Sequence, residues 1–117
     1  MKIRYRYNGG TTRRAIKYSL KHIPRLGGVR EVRATRVGWR EYITFIGSLG
    51  SVRISGFSWG YSGEGPRGLC EVLTKIGVFC KIAEYVSKGC ARAHCPGTDW
   101  KLRFHDNPYF PVSILHG

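Results

Sequence analysis

The chain has 117 residues, enough for one domain with a modest core, and its apolar share of 42% is ordinary for a globular protein. Twenty Lys and Arg stand against seven Asp and Glu, a net charge of +13, so the expected partners are polyanions: nucleic acid, nucleotides or an anionic surface. No apolar run reaches the roughly 18–20 residues of a membrane span, and no apolar leader follows Met1-Lys2-Ile3-Arg4, so we expect a single cytoplasmic domain over residues 1–117 with no membrane partner.

Lys2-Ile3-Arg4-Tyr5-Arg6-Tyr7 alternates strictly and predicts a strand with Ile3, Tyr5 and Tyr7 on one face. Asn8-Gly9-Gly10 breaks it, and Thr11 can cap a helix running to about His22. Arg13 and Arg14 fall in the first turn of that helix, where cations oppose the helix dipole. Such a placement suits a nearby anion, or tolerated surface charge. After the Pro24–Gly28 loop, Val29–Arg36 alternates again, with Val32 and Ala34 opposite Glu31, Arg33 and Thr35. Glu41–Ile46 reads as a strand, Gly47–Gly50 as a hairpin turn and Ser51–Phe57 as the returning strand. Together they predict an antiparallel meander that the first strand can join. Leu69, Val72, Leu73 and Ile76 follow helical spacing up to Gly77, and a second helix starts near Val78 and stops at Gly89. Residues 90–117 read as loop, with a short strand at Trp100–Phe104. The fold class expected is α+β: an antiparallel sheet of three to five strands, one early helix and a C-terminal helical pair.

Charge is uneven along the chain: residues 1–40 hold 12 basic residues and one acid, Glu31. Arg30, Arg33, Arg36, Arg40 and Arg53 lie on predicted strands, and the meander pairing lets Arg33 and Arg53 share a face. Arginine offers a planar fork for phosphate. Solvated charge at sheet edges, which prevents aggregation, accounts for any one of them taken alone.

The richest run is Phe57-Ser58-Trp59-Gly60-Tyr61-Ser62-Gly63-Glu64-Gly65-Pro66-Arg67-Gly68-Leu69, between a predicted strand and a predicted helix. It lacks the lysine and Ser/Thr of a P-loop, and an antiparallel meander is the wrong setting for a dinucleotide fingerprint. Its glycines allow close backbone approach, Pro66 suits a helix start, and free N–H groups with Arg67 attract anions. One reading is a pocket for a planar anion. The other is a structural turn with its aromatics in the core and Glu64 as a helix cap.

Cys70 and Cys80 sit among apolar residues and read as core fillers. Cys90, His94, Cys95 and His105 have the residue types of a zinc site but match no standard zinc spacing, leaving a disulfide or free thiols open; we expect no metal. The acids are scattered, and no Ser/His/Asp or Cys/His arrangement appears in an informative context. We therefore expect a binding protein without a cofactor rather than an enzyme.

The run Gly56–Leu69 looks like a motif of small phage and mobile-element proteins, in which a Trp-Gly-Tyr turn leads through Gly-x-Gly-Pro into an apolar helix. A strand meander followed by two helices, over about residues 40–88, is similar to the phage anti-Thoeris sponge family. The resemblance implies an oligomer that sequesters a cyclic ADP-ribose-type immune signal in the host cytoplasm without degrading it. On physical grounds Arg67 and the turn at Ser62, Gly63, Gly65 and Gly68 would hold phosphate. Phe57, Trp59 or Tyr61 would stack on the base, and Arg33, Arg40 and Arg53 would complete neutralisation, with a neighbouring subunit closing the site. The alternative is a nucleic-acid-binding protein or an inhibitor of a nucleic-acid-guided nuclease complex, because a long polymer rewards many dispersed basic residues.

Overall fold

The computed structural model describes residues 2–60, 63–88 and 99–104, together with the backbone of 111–116. Alternation sets the first strand, β1 (Ile3–Tyr7), as expected. Thr11 then caps α1 (Thr12–His22): its backbone is extended and its hydroxyl accepts a hydrogen bond from the Arg14 N–H at 3.3 Å. α1 buries Ala15 and Ser19, and the Ser19 hydroxyl donates back to the Ala15 carbonyl at 2.7 Å, so its polarity is satisfied. A short 3-10 turn, Ile23–Leu26, leads into β2 (Val29–Val37), β3 (Arg40–Gly47) and β4 (Gly50–Ile54). β4 ends three residues earlier than the sequence suggests. Gly56, with φ of 106°, turns the chain against α1, where the Thr12 hydroxyl donates to the Gly56 carbonyl at 2.8 Å.

α2 (Glu64–Lys75) is stopped by Gly77, whose φ of 103° only glycine adopts without strain. Pro66 sits in its first turn, where a missing N–H leaves no helical bond unmade. α3 (Cys80–Ser87) follows, and α2 packs against both α1 and α3. β5 (Trp100–Phe104) and β6 (Pro111–His116) are the last strands among the described residues. β6 lies in a stretch that reads as loop in the sequence.

The fold is α+β with an early helix and a later helical pair, as expected. The sheet is mixed and has six strands in the order β1-β4-β3-β2-β5-β6. Every pairing is antiparallel except β1 with β4, which is parallel. One face carries the core: Val32, Ala34, Ile43, Phe45, Val52, Ile54, Trp100 and Leu102, all essentially inaccessible, beneath the helices. Tyr5 and Tyr7 also face this side, where Tyr7 stacks on Tyr18 of α1 at 5.0 Å between ring centroids. Cys70 packs against the core, whereas Cys80 is exposed at the start of α3 and fills no core space. Among the described residues no helix is long and apolar enough to cross a membrane.

Candidate functional site

Because side chains alternate along a strand, the residues between the core positions all emerge on the other face. No helix among the described residues packs there. Strand register assembles them into two rows. Arg6 of β1 pairs with Arg53 of β4, Arg53 with Thr44 of β3, Thr44 with Arg33 of β2, and Arg33 with Lys101 of β5. The adjacent row runs Arg4, Ser51, Ile46, Glu31, Arg103. At about 4.8 Å between strands, each row crosses about 19 Å of sheet. The two rows hold six basic residues and one acid, drawn from five strands.

At the β1–β4 side this face forms a depression with a cavity volume of about 300 Å³, whose lining includes Arg4, Arg6, Arg33 and Arg53 together with Thr44, Ile46 and Ser51. Arg53 is held in place: its guanidinium lies 4.3 Å from the centroid of the Tyr42 ring, and that ring is only 7% exposed. The Arg53 Nε is buried with no hydrogen-bond partner among the described residues. A buried unsatisfied donor is unfavourable.

Glu31 ties the rows together, accepting hydrogen bonds from Arg33 Nε and from Arg103 Nε, the latter at 3.0 Å. Burial pushes the Glu31 carboxyl up, but the hydrogen bonds and charges of the two arginines outweigh it and hold the group below its ordinary value. Glu41, near the β2–β3 turn, behaves in the opposite way. Burial pushes its carboxyl above the ordinary value, and the Arg36 charge 3.6 Å away only partly offsets this.

Arg33 and Arg53 share a face, as the meander pairing requires. Arg40 does not join them: it sits at the β2–β3 turn, its guanidinium 4.9 Å from the Trp39 ring. Nor does the glycine-rich turn contribute to the depression. Phe57 and Trp59 are 3% and 1% exposed and belong to the core, where Trp59 meets the edge of Trp100 at 6.3 Å. Neither ring is free to stack on a ligand, so the structural-turn reading applies to both. The turn glycines serve packing: a Cβ on Gly65 would fall 2.0 Å from the Ser58 hydroxyl, and one on Gly68 would fall 2.3 Å from Thr12 of α1. Gly63 precedes α2, and its carbonyl accepts from the Arg67 N–H at 3.0 Å. The Arg67 side chain is exposed on α2, apart from the sheet arginines. Tyr61 and Ser62 lie outside the described residues, as do Cys90, His94, Cys95 and His105.

Arg4, Arg6, Lys101 and Arg103 were missed as site residues by sequence reasoning. The signal was present: in Ile3–Tyr7 and Trp100–Phe104 cations alternate with apolar or aromatic residues, which sends them to the face opposite the core. Comparison with protein-family models, curated proteins and solved structures finds no match to this chain.

Proposed function

We propose that the protein binds nucleic acid through the open face of its sheet. The observation that supports this best is the row Arg6, Arg53, Thr44, Arg33, Lys101, in which register aligns cations across five strands. A homodimer built face to face would bring six like charges against six, so this surface suits a polyanion. Guanidinium groups offer bidentate hydrogen bonds to phosphate oxygens, and the row offers several along one line. The overall charge of +13 adds long-range steering toward the same partner. Such binding makes and breaks no covalent bond and requires no cofactor.

The test is fluorescence anisotropy of a labelled oligonucleotide at fixed salt, comparing two double variants that lose the same charge. Arg33→Ala with Arg53→Ala removes the centre of the face, whereas Lys17→Ala with Lys21→Ala removes exposed cations of α1 on the opposite side of the sheet. The first pair is expected to weaken binding at least about tenfold and to lower the salt slope by about 1 for each arginine. Equal effects of the two pairs would reduce the interaction to net charge and sink the assignment to this face.

The depression of about 300 Å³ also favours a second reading, in which an anionic nucleotide of the cyclic ADP-ribose type is sequestered between Arg33 and Arg53. Such a nucleotide, added to the same assay, would then displace the oligonucleotide stoichiometrically, and inorganic phosphate would not.

A further inference from the structure

We infer that Trp39, at the tip of the β2–β3 hairpin, stacks on an unpaired base and gives the sheet face a preference for single-stranded nucleic acid. This rests on the nucleic-acid role proposed above. Trp39 is 83% exposed, whereas the other two tryptophans of the chain, Trp59 and Trp100, are each 1% exposed. Val37 beside it is also exposed, so the hairpin tip presents a small apolar patch, the kind of surface feature that marks an interaction site.

The tip fixes the backbone that carries the ring. Val37 pairs with Arg40, so Gly38 and Trp39 alone form the turn, and Gly38 takes the left-handed backbone with φ of 62° that so tight a connection needs. The base of the hairpin is braced twice: the Arg36 N–H donates to an Asp99 carboxylate oxygen at 2.9 Å, and the Arg36 guanidinium pairs with Glu41. The Arg40 guanidinium covers one side of the indole at 4.9 Å from its centroid. With 83% of the residue exposed, the other side is open.

Charge and distance connect the tip to the basic row. Arg40 lies against Trp39, so a phosphate beside the stacked base meets a cation. Arg40 stands four residues along β3 from Thr44 in the row, a rise of about 13 Å, which a strand lying on the face covers in a few nucleotides. A paired base inside a duplex is stacked on its neighbours and offers only its edges, whereas an unpaired base offers its π face to an aromatic ring. The hairpin tip therefore favours single strands, while the arginine row by itself accepts either form.

Intrinsic fluorescence tests this directly, because the emission that acrylamide can quench belongs to Trp39. Oligothymidylate is expected to shield Trp39 from acrylamide, and a duplex of the same length to leave it accessible. Trp39→Ala is expected to weaken oligothymidylate binding about tenfold and leave duplex binding unchanged, with Trp39→Phe keeping most of the affinity. Shielding by duplex and single strand alike, or wild-type oligothymidylate affinity in Trp39→Ala, overturns the stacking role. If Arg33→Ala weakens binding while Trp39→Ala does not, the basic face stands and the stacking does not. Binding of neither polymer by the intact protein removes both. Shielding that grows with protein concentration in the absence of nucleic acid makes the tip a self-association contact and overturns the proposal as well.

Discussion

Glu31 is the only acid in the two basic rows, and its ion pairs with Arg33 and Arg103 hold those cations partly neutralised. Glu31→Gln keeps the shape of the side chain and removes its charge. Oligonucleotide affinity is expected to rise about twofold to fivefold, the scale of an exposed ion pair, and a titration of the variant against wild type checks it. The stability effect has the opposite sign. A carboxyl held below its ordinary value stabilises the fold above the ordinary carboxylate range and loses that contribution as pH falls through its folded value. Wild type is therefore expected to lose stability toward acid more steeply than Glu31→Gln, by about 1 kcal/mol or less, read from thermal unfolding at a series of pH values. Glu41 works against this trend, because its raised value makes the folded protein less stable as pH rises through it. At this scale the sequence was legible where alternation applies: Arg33 and Thr35 opposite Val32 and Ala34 follow from spacing alone. Phe57 and Trp59 were ambiguous, because aromatics beside glycines suit a pocket and a core equally, and only their burial in the folded core decides between them.

Among the elements, β1 is the one whose position most affects the site, since it carries Arg4 and Arg6 on the sheet edge. It is admitted by Gly50: a Cβ there would fall 2.1 Å from the Ile3 carbonyl oxygen. Backbone cannot yield as a flexible side chain can. Gly50→Ala is expected to cost about 1–3 kcal/mol by overpacking and to raise amide exchange specifically over Ile3–Tyr7, with Arg4 and Arg6 lost from the face. Gly10→Ala is the control, since a Cβ at Gly10 meets nothing within 4 Å. Equal behaviour of the two variants would show that the β1–β4 contact is not tight. The strand β1 itself was plain in the sequence, but its parallel pairing with β4 was not, because no local pattern encodes a partner more than 40 residues away. The same holds for β5, which joins β2 rather than following α3 as an isolated strand. β6 escaped detection because Pro111 opens it and prolines read as breaks.

For the molecule as a whole, the salt dependence of binding measures how much of the basic surface is engaged. Six phosphate contacts, one for each cation in the two rows, give a slope of log affinity against log salt of about −4 for a single strand. A slope near zero would mean that the polymer is not held by its phosphates. A much steeper slope would mean that α1 and the remaining basic residues also take part.

Arg6 and Lys101 stand 95 positions apart in the chain yet lie on one line of the sheet. A strand of nucleic acid laid along that line acts as an external clasp over the β1–β4 and β2–β5 seams, which the chain closes only by long-range pairing. By mass action the bound polymer would stabilise the native state against any unfolding that parts those strands.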